Sequence, residues 1–120
     1  KQAGAKSIEV WGSGAPKREF LHVDDLADAL VHLMANYSQE ETINVGTGED
    51  VTIRELAEKV CRAVGFKGGL DFDTSKPDGT PRKLLDVSRI NAFGWKAKIG
   101  LDEGLAGAYA WYLANVAKAA

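Results

Sequence analysis

The sequence predicts an α/β domain with short strands, on the strength of three observations. Brief extended or β-rich runs occur at Ile8–Trp11, Arg18–Val23, Thr42–Val45 and Leu70–Phe72. Apolar residues recur at helical spacing over Asp25–Asn36, Ile53–Val64 and Leu101–Val116, with a shorter helix over Asp86–Phe93. Glycines and prolines stand between these segments and punctuate them. A chain of 120 residues, 45% of them hydrophobic, fits one small domain, and no repeat, low-complexity tract or boundary divides residues 1–120. The strands are too few to make a sheet covered on both faces, so apolar surface is left needing a partner.

Taken in order, Ile8–Trp11 feeds a turn at Gly12 and Gly14, where glycine permits backbone angles and close approaches that other residues resist. Lys17 and Arg18 then bring positive charge to that turn. Asp24 or Asp25 supplies an N-cap for the first helix, whose apolar face carries Leu26, Ala29, Leu30, Leu33 and Met34. Ser38–Glu41 is a connection, and Thr42–Val45 reads as a buried strand ending at Gly46-Thr47-Gly48. Thr52 and Glu55 form a capping box at the start of the second helix, with Ile53, Leu56, Ala57, Val60, Cys61 and Val64 as its apolar stripe and Gly65 as its stop. From Asp73 to Lys83 the chain reads as a loop constrained by Pro77, Gly79 and Pro81, and a loop so heavily specified has a task.

Composition excludes several classes. Fifteen Lys and Arg against 17 Asp and Glu give a net charge of −2, which offers no general attraction to nucleic acid or to an anionic membrane. A single cysteine permits no internal disulfide and no thiolate metal site, and suits a reducing cytoplasm. No run of about 18 apolar residues is present to span a bilayer. The opening residues Lys1–Lys6 carry no signal-peptide pattern, and the beginning there reads as a missing upstream partner.

Four residues are candidate substrate ligands. Arg18 and Arg82 come from separate loops, and two guanidiniums converging on a diphosphate would each supply charge-assisted hydrogen bonds of about 1.5–3 kcal/mol. Either is otherwise a surface arginine paired with a neighbouring acid. Trp11, beside two glycines, offers a ring face to a base or sugar, or else packs. Asp78 accepts from sugar hydroxyls or forms a turn with Gly79. Lys17 and Lys83 add local potential only.

Other residues invite catalytic readings and are declined. His22 lies in an extended segment between Leu21 and Val23 and reads as a hydrogen-bonded structural histidine, His32 as a surface residue, and Cys61 as a core residue of its helix. Gly46-Thr47-Gly48 lacks the full G-x-G-x-x-G because position 51 is Val51. No Tyr-x-x-x-Lys pair is present, since Tyr37, Tyr109 and Tyr112 are followed four residues later by Glu41, Leu113 and Val116.

Trp11-Gly12-Ser13-Gly14, Arg18-Glu19-Phe20-Leu21-His22-Val23-Asp24-Asp25, Asn44-Val45-Gly46-Thr47-Gly48 and Lys76-Pro77-Asp78-Gly79-Thr80-Pro81-Arg82-Lys83 occur together, in this order. From about Ile8 to Val116 the chain resembles the C-terminal portion of the GDP-L-fucose synthase family, extended short-chain dehydrogenase/reductases acting on nucleotide sugars. The resemblance implies the C-terminal substrate-binding portion of a Rossmann-type fold, with the N-terminal dinucleotide-binding domain absent. It implies substrate contact by Trp11, Arg18, Asp78 and Arg82, and no catalytic or cofactor-binding residue in this chain. The family's reaction converts GDP-4-keto-6-deoxy-D-mannose to GDP-L-fucose by epimerisation and reduction, with NADP(H) as cofactor and a homodimer as the complete enzyme. The isolated chain is expected to bind no cofactor and to be inactive. Two alternatives stand beside this: part of another sugar-nucleotide epimerase or dehydratase, taking a UDP- or dTDP-sugar, and a non-catalytic nucleotide-binding or oligomerisation module.

Overall fold

A computed structural model describes residues 4–117. Residues 1–3 of the opening read for a leader, and 118–120 at the other end, lie outside the described residues. The elements follow in order as β1 (Ser7–Trp11), β2 (Lys17–Glu19), α1 (Val23–Asn36), β3 (Asp50–Thr52), α2 (Ile53–Val64), β4 (Gly69–Asp73), β5 (Arg82–Lys83), α3 (Ser88–Ala92) and α4 (Leu101–Asn115).

The strands form two small sheets. In one, β1 and β4 pair in parallel, Ser7 opposite Gly69 through Trp11 opposite Asp73. Parallel neighbours require a crossover, and here it contains α2. In the other, β2 lies between antiparallel β3 and parallel β5, with Lys17 opposite both Thr52 and Arg82, and Arg18 opposite both Val51 and Lys83. β3 and β5 were not visible as strands in the sequence, being three and two residues long.

α2 forms as its sequence dictates. The Thr52 hydroxyl accepts from Glu55 N at 3.0 Å, the Glu55 carboxylate accepts from Thr52 N at 2.7 Å, and Gly65 closes the helix in the left-handed region at φ 65°. Thr52→Ala removes one half of this reciprocal cap and is expected to lower stability by about 1 kcal/mol, seen as a lower thermal midpoint with unchanged helix content at low temperature. α2 rests on α4, where Lys59 Nζ donates to Asp102 Oδ2 at 2.6 Å.

α1 starts earlier than the sequence suggested. His22 is its N-cap, with Nδ1 accepting from Asp24 N at 3.2 Å, so His22 has a structural role and neither aspartate is the cap. Asp25 is instead buried at 3% exposure, its Oδ2 accepting from the amides of Lys98 at 3.0 Å and Ile99 at 2.9 Å. A buried carboxylate costs heavily unless such donors face it, and these donors therefore fix the 97–99 segment against α1. Asp28 and His32, farther along α1, reach the same region: Trp95 Nε1 donates to Asp28 at 2.8 Å, and His32 Nε2 is 2.7 Å from the Phe93 carbonyl. His32 is thus a part-buried tether and not a surface residue, because the chain after α3 folds back onto it.

Ala29, Ile90 and Trp95 form the buried core, with Leu21, Leu33, Ile43, Val45, Val87 and Ala97 packed around them. Cys61 is only half-buried, on a helix with no fully buried residue, so it is not the core residue the stripe implies. Thr42–Val45 does not form the expected strand. A ladder requires a neighbour to exchange amide bonds with, and Ile43 and Val45 contribute side chains to the core without one. On the apolar face of α1, Ala29 and Leu33 join the core while Leu26, Leu30 and Met34 are left open, Met34 at 86% exposure. The unpartnered surface that the strand count implied is therefore present. Among the described residues, no helix is long and apolar enough to cross a membrane.

Candidate functional site

The Gly12–Gly14 turn brings the candidate residues into register with the loop 73–83. Gly12 N donates to Asp73 O at 2.9 Å, and beyond it the Asp78 carboxylate closes on the turn. Asp78 Oδ1 accepts from Ser13 N at 2.6 Å, and Asp78 Oδ2 accepts from the Ser13 hydroxyl at 2.7 Å. Gly12 has φ +88°, and a Cβ there would collide with Asp78 Oδ1, so the turn requires glycine on both counts. The Ser13 amide, with its hydroxyl second, holds the Asp78 carboxyl below its usual range. Arg54 braces the turn from beneath. Its guanidinium lies 3.8 Å from the centroid of the Phe72 ring, and Nη2 donates to Ser13 O at 3.4 Å.

Trp11 precedes this turn and is 69% exposed, its indole N–H donating to Glu9 Oε1 at 2.9 Å. The ring is not packed into a core, and Lys76 Nζ stands 5.4 Å from its centroid. Arg18 lies on β2, in the other sheet. Its Nη1 donates to Lys17 O at 2.6 Å, and Nη2 is 4.0 Å from where a Cβ on Gly79 would sit. The same side chain lines an apolar cleft of about 540 Å³ with Val45, Gly46, Lys83, Leu84 and Leu85. Among the described residues no carboxylate lies within ion-pair distance of Arg18 or Lys76.

Arg82 is placed differently from the expectation. Successive side chains of a strand alternate between faces, so the register puts Arg82 and Lys17 on one face of the sheet and Arg18 and Lys83 on the other. Arg82 Nε donates to Asp50 Oδ2, and Nη2 donates to Asp50 Oδ1 at 3.3 Å. The hydrogen bond and charge of Arg82 hold the Asp50 carboxyl below its ordinary value. Arg18 and Arg82 therefore do not converge here, and Arg82 instead fastens β5 to β3 through Asp50. Asp78 also differs in detail: both its oxygens are already engaged by Ser13, which makes it first a clasp between turn and loop.

The Gly46-Thr47-Gly48 segment is an anion-binding turn occupied from within. Glu19 Oε1 accepts from Thr47 N at 2.5 Å and Gly48 N at 2.7 Å, and Oε2 accepts from Leu85 N at 2.9 Å. Burial is the largest single influence on Glu19 and raises its pKa, but the amides of Leu85, Gly48 and Thr47 with the Thr47 hydroxyl outweigh it and leave the group below its ordinary value. A Cβ at Gly46 would strike this carboxylate. Glu19 thereby ties β2 to both loops that flank Arg18.

Sequence reasoning missed Ser13, Arg54, Glu19 and Lys76. Ser13 had a local signal, a hydroxyl flanked by two turn glycines, and Lys76 stands immediately before Pro77 in the constrained loop. Glu19 and Arg54 had none, since their partners lie far away in the chain.

The model of the NAD dependent epimerase/dehydratase family matches residues 1–46. Over 119 residues the chain is 58% identical to a probable GDP-L-fucose synthase 1 of Oryza sativa subsp. japonica, covering 99% of this chain and 36% of the relative. It is 54% identical to the GDP-L-fucose synthase of Escherichia coli (strain K12), covering 92% of this chain and 37% of the relative. A crystal structure of a GDP-L-fucose synthetase from Naegleria fowleri superposes with a TM-score of 0.88 at 30% identity, over 95% of this chain and 35% of that one. The chain is thus homologous along nearly its whole length to GDP-L-fucose synthases, and spans about a third of the length of the relatives it matches. Its mixed α/β fold is that of the matching third of these epimerase/reductases.

Proposed function

We propose that residues 1–120 are the C-terminal, nucleotide-sugar-binding portion of an NADP-dependent epimerase/reductase that converts GDP-4-keto-6-deoxy-D-mannose to GDP-L-fucose. The observation that supports this reading is exposed Trp11 beside the Ser13–Asp78 clasp, with Arg18, which has no carboxylate partner among the described residues, reaching the same loop at Gly79. The identity to GDP-L-fucose synthases supports the choice of base and sugar.

In this reading Arg18 binds a phosphate of GDP, Trp11 lays its ring against the sugar or base, and Asp78 holds the turn in shape while its remaining lone pairs meet substrate hydroxyls. The reaction would epimerise the carbons flanking the ketone and then transfer hydride from NADPH to the ketone carbon. Proton and hydride transfer belong to residues outside this chain, for it has no Tyr-x-x-x-Lys pair. Its share is anchoring: binding energy gathered at the nucleotide holds the sugar where transfer occurs. The single cysteine suits the cytoplasm, where we place the enzyme.

The test is NADPH consumption by the complete polypeptide with GDP-4-keto-6-deoxy-D-mannose, followed as loss of nicotinamide absorbance, with UDP- and dTDP-keto-sugars as comparators. Turnover of the GDP-sugar, with none from the 120-residue chain alone, is expected. Preference for a UDP- or dTDP-sugar would overturn the assignment of base.

A further inference from the structure

Arg82 is paired with Asp50 on the other face of the sheet, so a second cation beside Arg18 has to come from elsewhere. We infer that Lys76 is the second cationic ligand of the nucleoside diphosphate, standing over the Trp11 ring while Arg18 reaches the same loop at Gly79. This rests on the reading of the site given above.

Three features carry it. First, the Lys76 ammonium is 5.4 Å from the Trp11 ring centroid, close enough for the ring's negative face to attract it and fix where the charge resides. Second, no carboxylate among the described residues lies within ion-pair distance of Lys76, unlike Arg82, Arg89, Lys59 and Lys98. Third, the backbone around Lys76 is held on both sides. Lys76 N donates to Asp73 O at 3.2 Å, and the next turn is locked by the Asp78–Ser13 bonds of 2.6 and 2.7 Å. A lysine on an unanchored loop would lose considerable freedom on binding, whereas this one has its backbone set beforehand.

Arg18 lies beneath Gly79, so the segment 76–79 places Lys76 at one end and the arginine at the other. The division of labour follows from chemistry. The planar guanidinium takes a phosphate by paired hydrogen bonds, and the ammonium serves as a point charge able to follow the second phosphate. When a ligand enters, the ammonium exchanges a weak ring contact for a phosphate oxygen, leaving the Trp11 face to the ligand.

The experiment compares inhibition of the complete enzyme by GDP and by guanosine, each as a competitor of the GDP-sugar. Lys76→Ala is expected to raise the inhibition constant of GDP about tenfold while that of guanosine changes less than about twofold, and Lys76→Arg to restore most of the GDP affinity. An unchanged constant for GDP in Lys76→Ala overturns the assignment. Equal losses for GDP and guanosine also overturn it, since the lysine would then act on the nucleoside through Trp11. If the wild-type enzyme turns over the GDP-sugar and these variants do not discriminate, only Lys76 is dismissed. If the wild-type enzyme binds neither GDP nor guanosine, the reading of the whole site fails and the lysine with it.

Discussion

Arg18→Ala is expected to raise the Michaelis constant for the GDP-sugar at least tenfold in the complete enzyme. Paired charge-assisted hydrogen bonds to phosphate contribute about 1.5–3 kcal/mol each when well made, and tenfold corresponds to about 1.4 kcal/mol, so even one such bond suffices. The Arg18 guanidinium donates to the Lys17 carbonyl and has no carboxylate partner among the described residues, and Arg82, on the other face of the sheet, cannot take its place. Arg18→Lys should fall between, retaining charge without the bidentate fork. Melting of both variants should stay near wild type, because the guanidinium makes no ion pair that folding depends on. A Michaelis constant unchanged in Arg18→Ala would remove the residue from the site.

Glu19→Ala carries the largest expected effect on stability, about 3 kcal/mol. Its carboxylate receives amide bonds from Thr47, Gly48 and Leu85 and a hydroxyl contact from Thr47, and hydrogen bonds to a charged acceptor contribute about 1.5–3 kcal/mol each before solvent competes for the exposed ones. Removing it leaves those donors facing a void next to Gly46. Glu19→Gln, which keeps one oxygen, should lose about half as much, and chemical denaturation of the chain and its variants measures both. The sign of the pH effect follows from the depressed pKa. The Glu19 contribution is fully present above the ordinary carboxyl value of 4.5 and is lost as pH falls through the lower folded-state value. Wild-type stability should therefore decline on acidification below about pH 4.5, and Glu19→Gln should show a shallower decline. A Glu19→Ala midpoint equal to wild type would refute the role of this anchor.

What the sequence revealed followed the range of the interactions concerned. α2 was legible from end to end because its cap, stripe and glycine stop lie within its own residues, from Thr52 to Gly65. The turn at Gly12 and Gly14 was legible because positive φ is a property of a single residue. Trp11, Arg18 and Asp78 stand out in the sequence for their chemistry; Asp78 closes on the turn that follows Trp11, and Arg18 reaches Gly79 from β2. The Arg82 orientation was beyond reach, since it depends on a parallel register between residues 17–18 and 82–83. Asp25 misled for a similar reason: an aspartate at a helix start resembles a cap, and only the fold brings the amides of Lys98 and Ile99 to it. Thr42–Val45 has the composition of a strand, but strand formation belongs to a pair of segments and not to one.

The strand at residues 17–19 finds one neighbour at 50–52 and the other at 82–83. During synthesis the first can be recruited early, whereas the second emerges only after the intervening helix and β4 have left the ribosome. Until then a growing chain carries an unsatisfied strand edge beside Arg18, and bringing in the last partner requires closing a long loop. Products terminated ahead of Pro81 would keep that edge open, and its shortness and three charged residues, Lys17-Arg18-Glu19, are what would discourage it from pairing with another copy.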